Sequence, residues 1–342
     1  MRKFTLIGLC LSMLWLASCS TTAERTLSLR QALRSTETVT LPIHIQSNGL
    51  ILIEGVEIEG KAYKFLMDTG ATRSSIFKTI SEKLTEKENY GESIPIYGIS
   101  EVGSGQRITI PQFNVGRLKH LGQILVVLEN RAASTQSHPL DQSFDGIVGM
   151  DILAKYKVHI SKRDKTISFM PRHLNVTLGQ EWASTALYPN PFKDDGRNIK
   201  FVALSFLDQT IPALFDTGAD LNVMSWNEER YPVLSKLRKK LRTDWEYQGA
   251  IGVFTPKAKI RIERLTSGNL SWRNKNFVAM ELPNLGVLGA EGHAFGVVGM
   301  DLWPQDEIYM DFHQDFVSAR IPNRLRERPF IAGGLGVVHL DR

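Results

Sequence analysis

Phe65-Leu66-Met67-Asp68-Thr69-Gly70-Ala71 is an apolar run that ends in a carboxylate. The chain repeats it as Ala213-Leu214-Phe215-Asp216-Thr217-Gly218-Ala219. Burying a carboxylate at a strand end is costly unless it is paired or heavily hydrogen-bonded. Yet Tyr63 to Met67 is apolar except for Lys64, and Pro212 to Phe215 is apolar throughout. Gly70 and Gly218 permit a sharp turn that brings backbone N–H groups toward the carboxylate. Thr69 and Thr217 supply a hydroxyl that can reach a neighbouring strand. Each turn reads as a device for holding a carboxylate rigidly at a strand end. One copy would be weak evidence, because Asp-Thr-Gly also suits an ordinary turn.

A second repeat strengthens the first. Phe144-Asp145-Gly146-Ile147-Val148-Gly149-Met150-Asp151-Ile152-Leu153 matches Ala294-Phe295-Gly296-Val297-Val298-Gly299-Met300-Asp301-Leu302-Trp303. Gly149 follows Asp68 by 81 residues, and Gly299 follows Asp216 by 83. Two units of similar length with landmarks in register indicate duplication of a whole lobe.

These residues resemble the aspartic proteases of the pepsin and retropepsin kind. That family carries an Asp-Thr-Gly turn in each of two related lobes, with a later apolar-apolar-Gly strand beneath it. Ile147-Val148-Gly149 and Val297-Val298-Gly299 match that strand. The Ala after each turn and the Gly-Met-Asp endings are closer to retropepsin-like domains than to pepsin. The resemblance covers about residues 40–322. It implies an all-β fold with short helices, in which two retropepsin-like β-barrel lobes flank a cleft. It also implies an aspartic endopeptidase with Asp68 and Asp216 as the catalytic pair. Thr69 and Thr217 would brace the turns, while Gly70 and Gly218 would bring N–H donors to the carboxylates. Two carboxylates so close share one proton and activate a water. In pepsin-like enzymes the residue after the turn is a hydroxyl donor that stabilises the charged carboxylate. Here Ala71 and Ala219 stand there, so the pair is expected to work at mildly acidic to near-neutral pH.

The first residues read as a targeting segment. Arg2 and Lys3 precede the apolar stretch Thr5 to Ala17, which is too short for a permanent membrane span. Leu16-Ala17-Ser18-Cys19 resembles a bacterial lipobox, which makes residues 1–18 a signal peptide and Cys19 the lipidated first residue. Ser20 stands where inner-membrane retention would want Asp, which favours an outer-membrane lipoprotein facing the periplasm or the surface. The alternative is a plain signal peptide with an incidental Cys. Cys10 is the only other cysteine, so no disulfide is expected and stability must come from the core.

Residues 19–38 read as a tether with a short helix around Leu27 to Leu33. Residues 39–170 read as the first lobe, 171–196 as a Pro-rich linker, 197–322 as the second lobe and 323–342 as a basic, then Gly-rich tail. Val39 to Ile45 and Leu50 to Ile58 alternate like strands. Ile76, Ile80 and Leu84 have helical spacing, with the helix around Leu234 as their counterpart. Each lobe closes with paired strands, Val158 to Phe169 and Ile308 to Ile321. Tyr97-Gly98-Ile99, with Gly103 and Gly105, forms a Gly-rich hairpin that reads as mobile. It stands where the family's substrate-covering flap belongs. Gly249, Ile251 and Gly252 form a second candidate, and two flaps suit a retropepsin-like arrangement.

Other chemistries have less support. There is no His-Glu-x-x-His, Cys-x-x-Cys or Gly-x-Ser-x-Gly motif, and the eight histidines are scattered. No metal or cofactor is expected. Gly286, Gly289 and Gly292 lack the strand-to-helix context of a phosphate loop. Asp145 reads as a turn residue, and Asp151 and Asp301 as caps of short helices. The net charge of +5 is modest, and the run Lys236 to Arg242 reads as a solvated amphipathic helix. Nucleic-acid binding is not expected. The expected partners are a polypeptide substrate and, through the lipid, a membrane, with one chain forming a competent monomer. The rival readings are a non-catalytic peptide-binding or scaffold lipoprotein on the same fold and a processing factor devoted to one partner.

Overall fold

The computed structural model describes residues 26–98, 102–129, 144–194, 198–207, 209–225, 247–248, 253–282, 284–321 and 338–339. These residues are mostly strand, with helices of at most five residues.

After a two-residue strand β1 (Leu27–Ser28), lobe one runs β2 (Val39–Ile45), β3 (Ile51–Ile58), β4 (Lys61–Met67), β5 (Ser75–Phe77), β6 (Glu88–Tyr97), β7 (Val102–Val115), β8 (Leu118–Leu128) and β9 (Gly146–Val148). Six of these close a barrel in the order β3-β4-β9-β5-β8-β7, with β7 pairing back onto β3. The two hairpins β10 (Tyr156–Ser161) with β11 (Thr166–Pro171), and later β22 (Glu307–Asp311) with β23 (Phe316–Arg320), lie outside the barrels. Between them come β12 (Val176–Thr177), β13 (Trp182–Ala186), β14 (Phe201–Phe206), β15 (Gln209–Phe215), β16 (Val223–Ser225), β17 (Tyr247–Gln248), β18 (Val253–Phe254), β19 (Ala258–Ser267), β20 (Leu270–Met280) and β21 (Gly296–Val298), followed by β22 (Glu307–Asp311) and β23 (Phe316–Arg320). The second barrel closes as β14-β15-β21-β16-β20-β19, with β19 meeting β14.

The two barrels share every pairing sense. β4 and β15 run parallel to β9 and β21, which lie antiparallel to β5 and β16. β5 and β16 run parallel to β8 and β20. Even the irregularity in the last hairpin recurs, at Gly122 (φ 59°) and Asn274 (φ 53°). The duplication seen in the motifs therefore extends to the barrel topology. The barrel interiors are mostly aliphatic, with a few aromatic pairs among them. Phe65 meets Phe113 edge-on at 5.4 Å in lobe one, and Phe215 meets Trp303 at 5.3 Å in lobe two.

Antiparallel pairing of β10 with β22 joins the lobes into one sheet, ordered β13-β23-β22-β10-β11-β2 beneath them. Lys157 and Asp311 face each other across that joint and form a fully buried ion pair at 3.1 Å. Lys157 Nζ also donates to Leu174 O at 2.8 Å, and Asp311 Oδ1 accepts from the N–H groups of His313 and Gln314. Such a pair is held by hydrogen bonds that offset its desolvation.

Several expectations need correction. Ile76 lies in strand β5, and the helix that follows it spans only Lys78–Ser81, because the strand is needed between β9 and β8. The segment 171–196 is more than a linker: β12 pairs with β1, and β13 adds an edge strand to β23. Residues 27–33 are no free tether. The helix Leu29–Leu33, capped at Ser28, buries Leu29 and Ala32 against Met170, Leu174, Val176 and Tyr309. The leader, Cys19, the Leu234 helix and most of the tail lie outside the described residues. Val338–His339 of the tail pair with Ile262 and Arg261 of β19. Among the described residues, no helix is long and apolar enough to cross a membrane.

Candidate active site

The two Asp-Thr-Gly turns meet where the barrels face each other. Asp68 and Asp216 each follow a strand that pairs with the apolar-apolar-Gly strand, and their N–H groups donate to Val148 O at 3.0 Å and Val298 O at 3.1 Å. Gly149 and Gly299 end those strands against the backbone of the opposite arm of the turn. A Cβ there would lie 2.7 Å from Arg73 C or 2.3 Å from Leu221 O. Only glycine fits such an approach.

Four hydrogen bonds lock the turns together across the lobes. The Thr69 N–H donates to Thr217 Oγ1 at 3.1 Å, and the Thr217 N–H donates to Thr69 Oγ1 at 3.0 Å. In turn, Thr69 Oγ1 donates to Phe215 O at 2.7 Å and Thr217 Oγ1 to Met67 O at 3.0 Å. Both threonines are buried. Each hydroxyl thereby satisfies a donor and an acceptor of the other lobe, so neither turn is complete alone.

The carboxyl groups lie directly above this lock. Asp68 Oδ1 accepts from the N–H groups of Gly70 at 2.8 Å and Ala71 at 3.0 Å. Asp216 Oδ1 accepts from the N–H of Gly218 at 2.9 Å. The two carboxyls stand next to each other, each against the other lobe's glycine. Surrounding protein and the nearby Asp68 charge hold Asp216 well above the usual carboxylate range, against the lowering pull of the Gly218 and Ala219 N–H groups. Both residues keep an intermediate exposure. Two carboxyls in this arrangement retain one proton between them, so a single site offers both an acid and a base. No hydroxyl stands at position 71 or 219.

Asp151 and Asp301 do something other than cap helices, and that expectation is corrected. Glycines 149 and 299 hold the N-cap positions, and no side chain caps either end. Asp151 instead accepts from the Ser74 N–H at 2.8 Å, the Ser74 hydroxyl at 2.7 Å and Gln123 Nε2 at 2.8 Å. Asp301 accepts from Asn222 Nδ2 at 2.9 Å and pairs with Lys275 at 3.6 Å. Burial nonetheless pushes Asp151 up. Ser74 Oγ and Asn222 Oδ1 in turn accept the N–H of Gly149 and Gly299. Ser74 and Asn222, which sequence reasoning missed, thus tie each turn to the strand beneath it. The signal was present, since each stands six residues after its Asp. Asp145 accepts the Lys64 N–H at 2.9 Å and fastens the entry to β9 against β4.

The lobe-one hairpin β6–β7 pairs Tyr97 with Val102 at its tip. Tyr97 is 48% exposed, and Gly98 O accepts from Asn284 Nδ2 of lobe two at 3.0 Å. Gly103 lies in the ribbon opposite Ile96. Gly105 does not serve mobility as expected: it is buried, and a Cβ would lie 2.4 Å from Ile96 Cδ1 and 2.7 Å from Val127 O. Its role is close packing. Ile99 lies outside the described residues, as do Gly249, Ile251 and Gly252. The strands flanking those last three, β17 and β18, pair Tyr247 with Phe254 antiparallel. Cys19 likewise lies outside. Among the described residues, no group of three or more His, Cys, Asp or Glu side chains could hold a metal.

Twin barrels of one topology, joined by a sheet and meeting at two Asp-Thr-Gly turns, are an aspartic-protease fold. Residues 55–152, which span Asp68, the β6–β7 hairpin and Gly149, match the family described as aspartyl protease. No curated protein matches the chain.

Proposed function

We propose that this chain is an aspartic endopeptidase whose two carboxyls, Asp68 and Asp216, act on a polypeptide laid between the lobes. The observation that carries this reading is the facing pair itself: two carboxyls side by side, each against the other lobe's glycine, with burial and the Asp68 charge holding Asp216 well above the ordinary carboxylate range. The ionised partner takes a proton from a water, while the protonated one gives its proton to the scissile carbonyl oxygen. Water oxygen bonds to the carbonyl carbon, giving a neutral diol. Collapse of the diol breaks the C–N bond, with a proton passed to the departing nitrogen and one returned to the pair. No covalent enzyme intermediate forms. The roles belong to the pair and are not divided between its members. Because both carboxyls come from one chain, the monomer is the active form in this reading. Cys19, as the lipidated residue of a mature outer-membrane lipoprotein, would tether the enzyme to the envelope.

The test is a peptide-library digest with the soluble form, residues 20–342, beside Asp68→Asn and Asp216→Asn. Cleavage by the parent, lost in both variants at unchanged circular dichroism and melting temperature, supports the pair. Activity retained in either variant removes it, and a parent that binds peptides without cutting them makes the chain a peptide-binding protein. For the tether, Cys19→Ala should move the exported protein out of the membrane fraction with its peptidase activity intact. Continued membrane association would point to a different anchor.

A further inference from the structure

The duplicated barrels allow lobe two to be set against lobe one position by position. Val223 pairs with Val278 as Ser75 pairs with Val126, and Val278 and Val126 face Lys259 and Arg107 across their hairpins. Along these hairpins Arg261 stands where lobe one has Thr109, and the facing pair Arg264–Arg273 stands where it has Gln112–Leu121. β19 and β20 together carry five cationic side chains and one acidic one, Glu263. Lys259 and Arg261 alternate with the core residues Ile260 and Ile262, while Arg264 and Arg273 adjoin the inward pair Leu265–Trp272. Neighbours along a strand point to opposite faces, so these four cations line the outer face of the barrel. Like charges directly opposite each other destabilise an antiparallel pair. Lobe one closes the same hairpin with an uncharged pair, so the fold does not call for the arginines.

The edge of β19 also takes up polypeptide. β20 runs along one side of it, and on the other side Val338–His339 of the chain's own tail pair antiparallel with Ile262 and Arg261. His339 thus sits opposite Arg261 and brings no carboxylate to it.

We propose that the outer face of β19 and β20 is a docking surface for an acidic polypeptide segment, which lies extended along β19 in the place now held by Val338–His339. Backbone pairing to the strand edge supplies the seat, as the tail already shows, and the cations select the side chains. Every second residue of such a segment turns toward the outer face, so the segment that fits carries Asp or Glu at alternate positions. Lys259 to Arg264 spans about 16 Å of strand, room for about three such carboxylates. The surface is separate from the carboxyl pair and stands whether or not the chain cleaves what it binds.

Arg261→Thr, Arg264→Gln and Arg273→Leu together give lobe two the residues lobe one carries at the same positions, so this variant should fold as the parent does. Binding is read by fluorescence anisotropy in the Asp68→Asn protein, with a short labelled peptide bearing Glu at alternate positions and its Gln counterpart. The Glu peptide should bind more tightly than the Gln peptide at low salt. The triple substitution should weaken its binding about 3- to 100-fold, the range for three exposed ion pairs, and flatten its salt dependence. His339→Glu should fill the seat from within and lower the affinity for added Glu peptide. Equal binding of the two peptides, or binding that survives the triple substitution, overturns the proposal. An affinity unmoved by His339→Glu would show that the segment does not lie along β19. Binding to phosphatidylglycerol vesicles that needs the arginines, with no binding of the Glu peptide, would make the face a membrane surface and overturn it too. A parent that cuts no peptide removes the peptidase reading, and the anisotropy measurement still decides the surface.

Discussion

A Cβ on Gly70 would lie 2.5 Å from the carboxyl carbon of Asp216, and one on Gly218 would lie 2.3 Å from that of Asp68. Each lobe's glycine is the wall against which the other lobe's carboxyl rests. Turn geometry and N–H donation already favour glycine at both positions, and the crossed contact is a further demand on them. Gly70→Ala and Gly218→Ala should each displace the opposite carboxyl. A misplacement of about 1 Å can cost about 100-fold in rate, so kcat should fall by at least that factor. Steady-state kinetics beside a thermal melt would check it, and near-parental kcat in either variant would show that the contact relaxes harmlessly.

Removing one hydroxyl of the lock orphans groups in both lobes. Thr69→Val leaves the Thr217 N–H and the Phe215 carbonyl without their partner, and both are buried. Each orphaned buried group costs about 1–3 kcal/mol. Urea denaturation should therefore show a loss of at least about 2 kcal/mol, with Thr69→Ser close to the parent. Equal stability of the Val and Ser variants would mean that the hydroxyl contributes nothing across the lobes.

The pH profile should follow the shared proton. Surrounding protein and the Asp68 charge raise Asp216, and neither Ala71 nor Ala219 offers a hydroxyl to stabilise the charged form. The singly protonated pair should persist into the mildly acidic to near-neutral range, with activity peaking there. Ala71→Ser with Ala219→Ser should move the profile toward acid. The sign for stability is opposite to that of an ordinary salt-bridged Asp. A raised folded pKa favours the fold fully below the unfolded value, and that contribution is lost as pH rises through the folded one. An unmoved activity profile in the double variant would show that other groups set the pair's pKa.

His120 should make the fold acid-sensitive. It is buried between Phe113 and Tyr156, and burial, with the Lys155 charge nearby, lowers it to about 4. The unfolded chain takes up this proton near pH 6.5, so stability should fall from about pH 6.5 down to about pH 4 and level off there. The full loss is about 3 kcal/mol at most. Denaturation midpoints of the parent and His120→Phe, measured from pH 7 to pH 4, would compare the slopes. Parallel slopes would assign the acid sensitivity to other groups.

Local chemistry in the chain was enough to reveal the duplication, the two acidic turns and the strand beneath each, because these depend on short-range patterns. An apolar run, an Asp, a Gly and a fixed spacing are all visible in one dimension. The same holds for strands such as Val39–Ile45, whose alternation is written into the residues. What tertiary structure alone decided are contacts between segments far apart in the chain. Asp151 looked like a helix cap, since any Asp beside a short helix does; its partners Ser74 and Gln123 arrive from elsewhere in the barrel. Residues 171–196 looked like a linker because Pro and Gly punctuate them, yet β13 finds its edge on β23 more than a hundred residues later. Helical spacing at Ile76 gave way to a strand because β9 and β8 needed a partner between them. The reach of Asn284 to Gly98 leaves no trace in either segment, since a side-chain amide and a backbone carbonyl are ordinary groups until the fold sets them 3.0 Å apart.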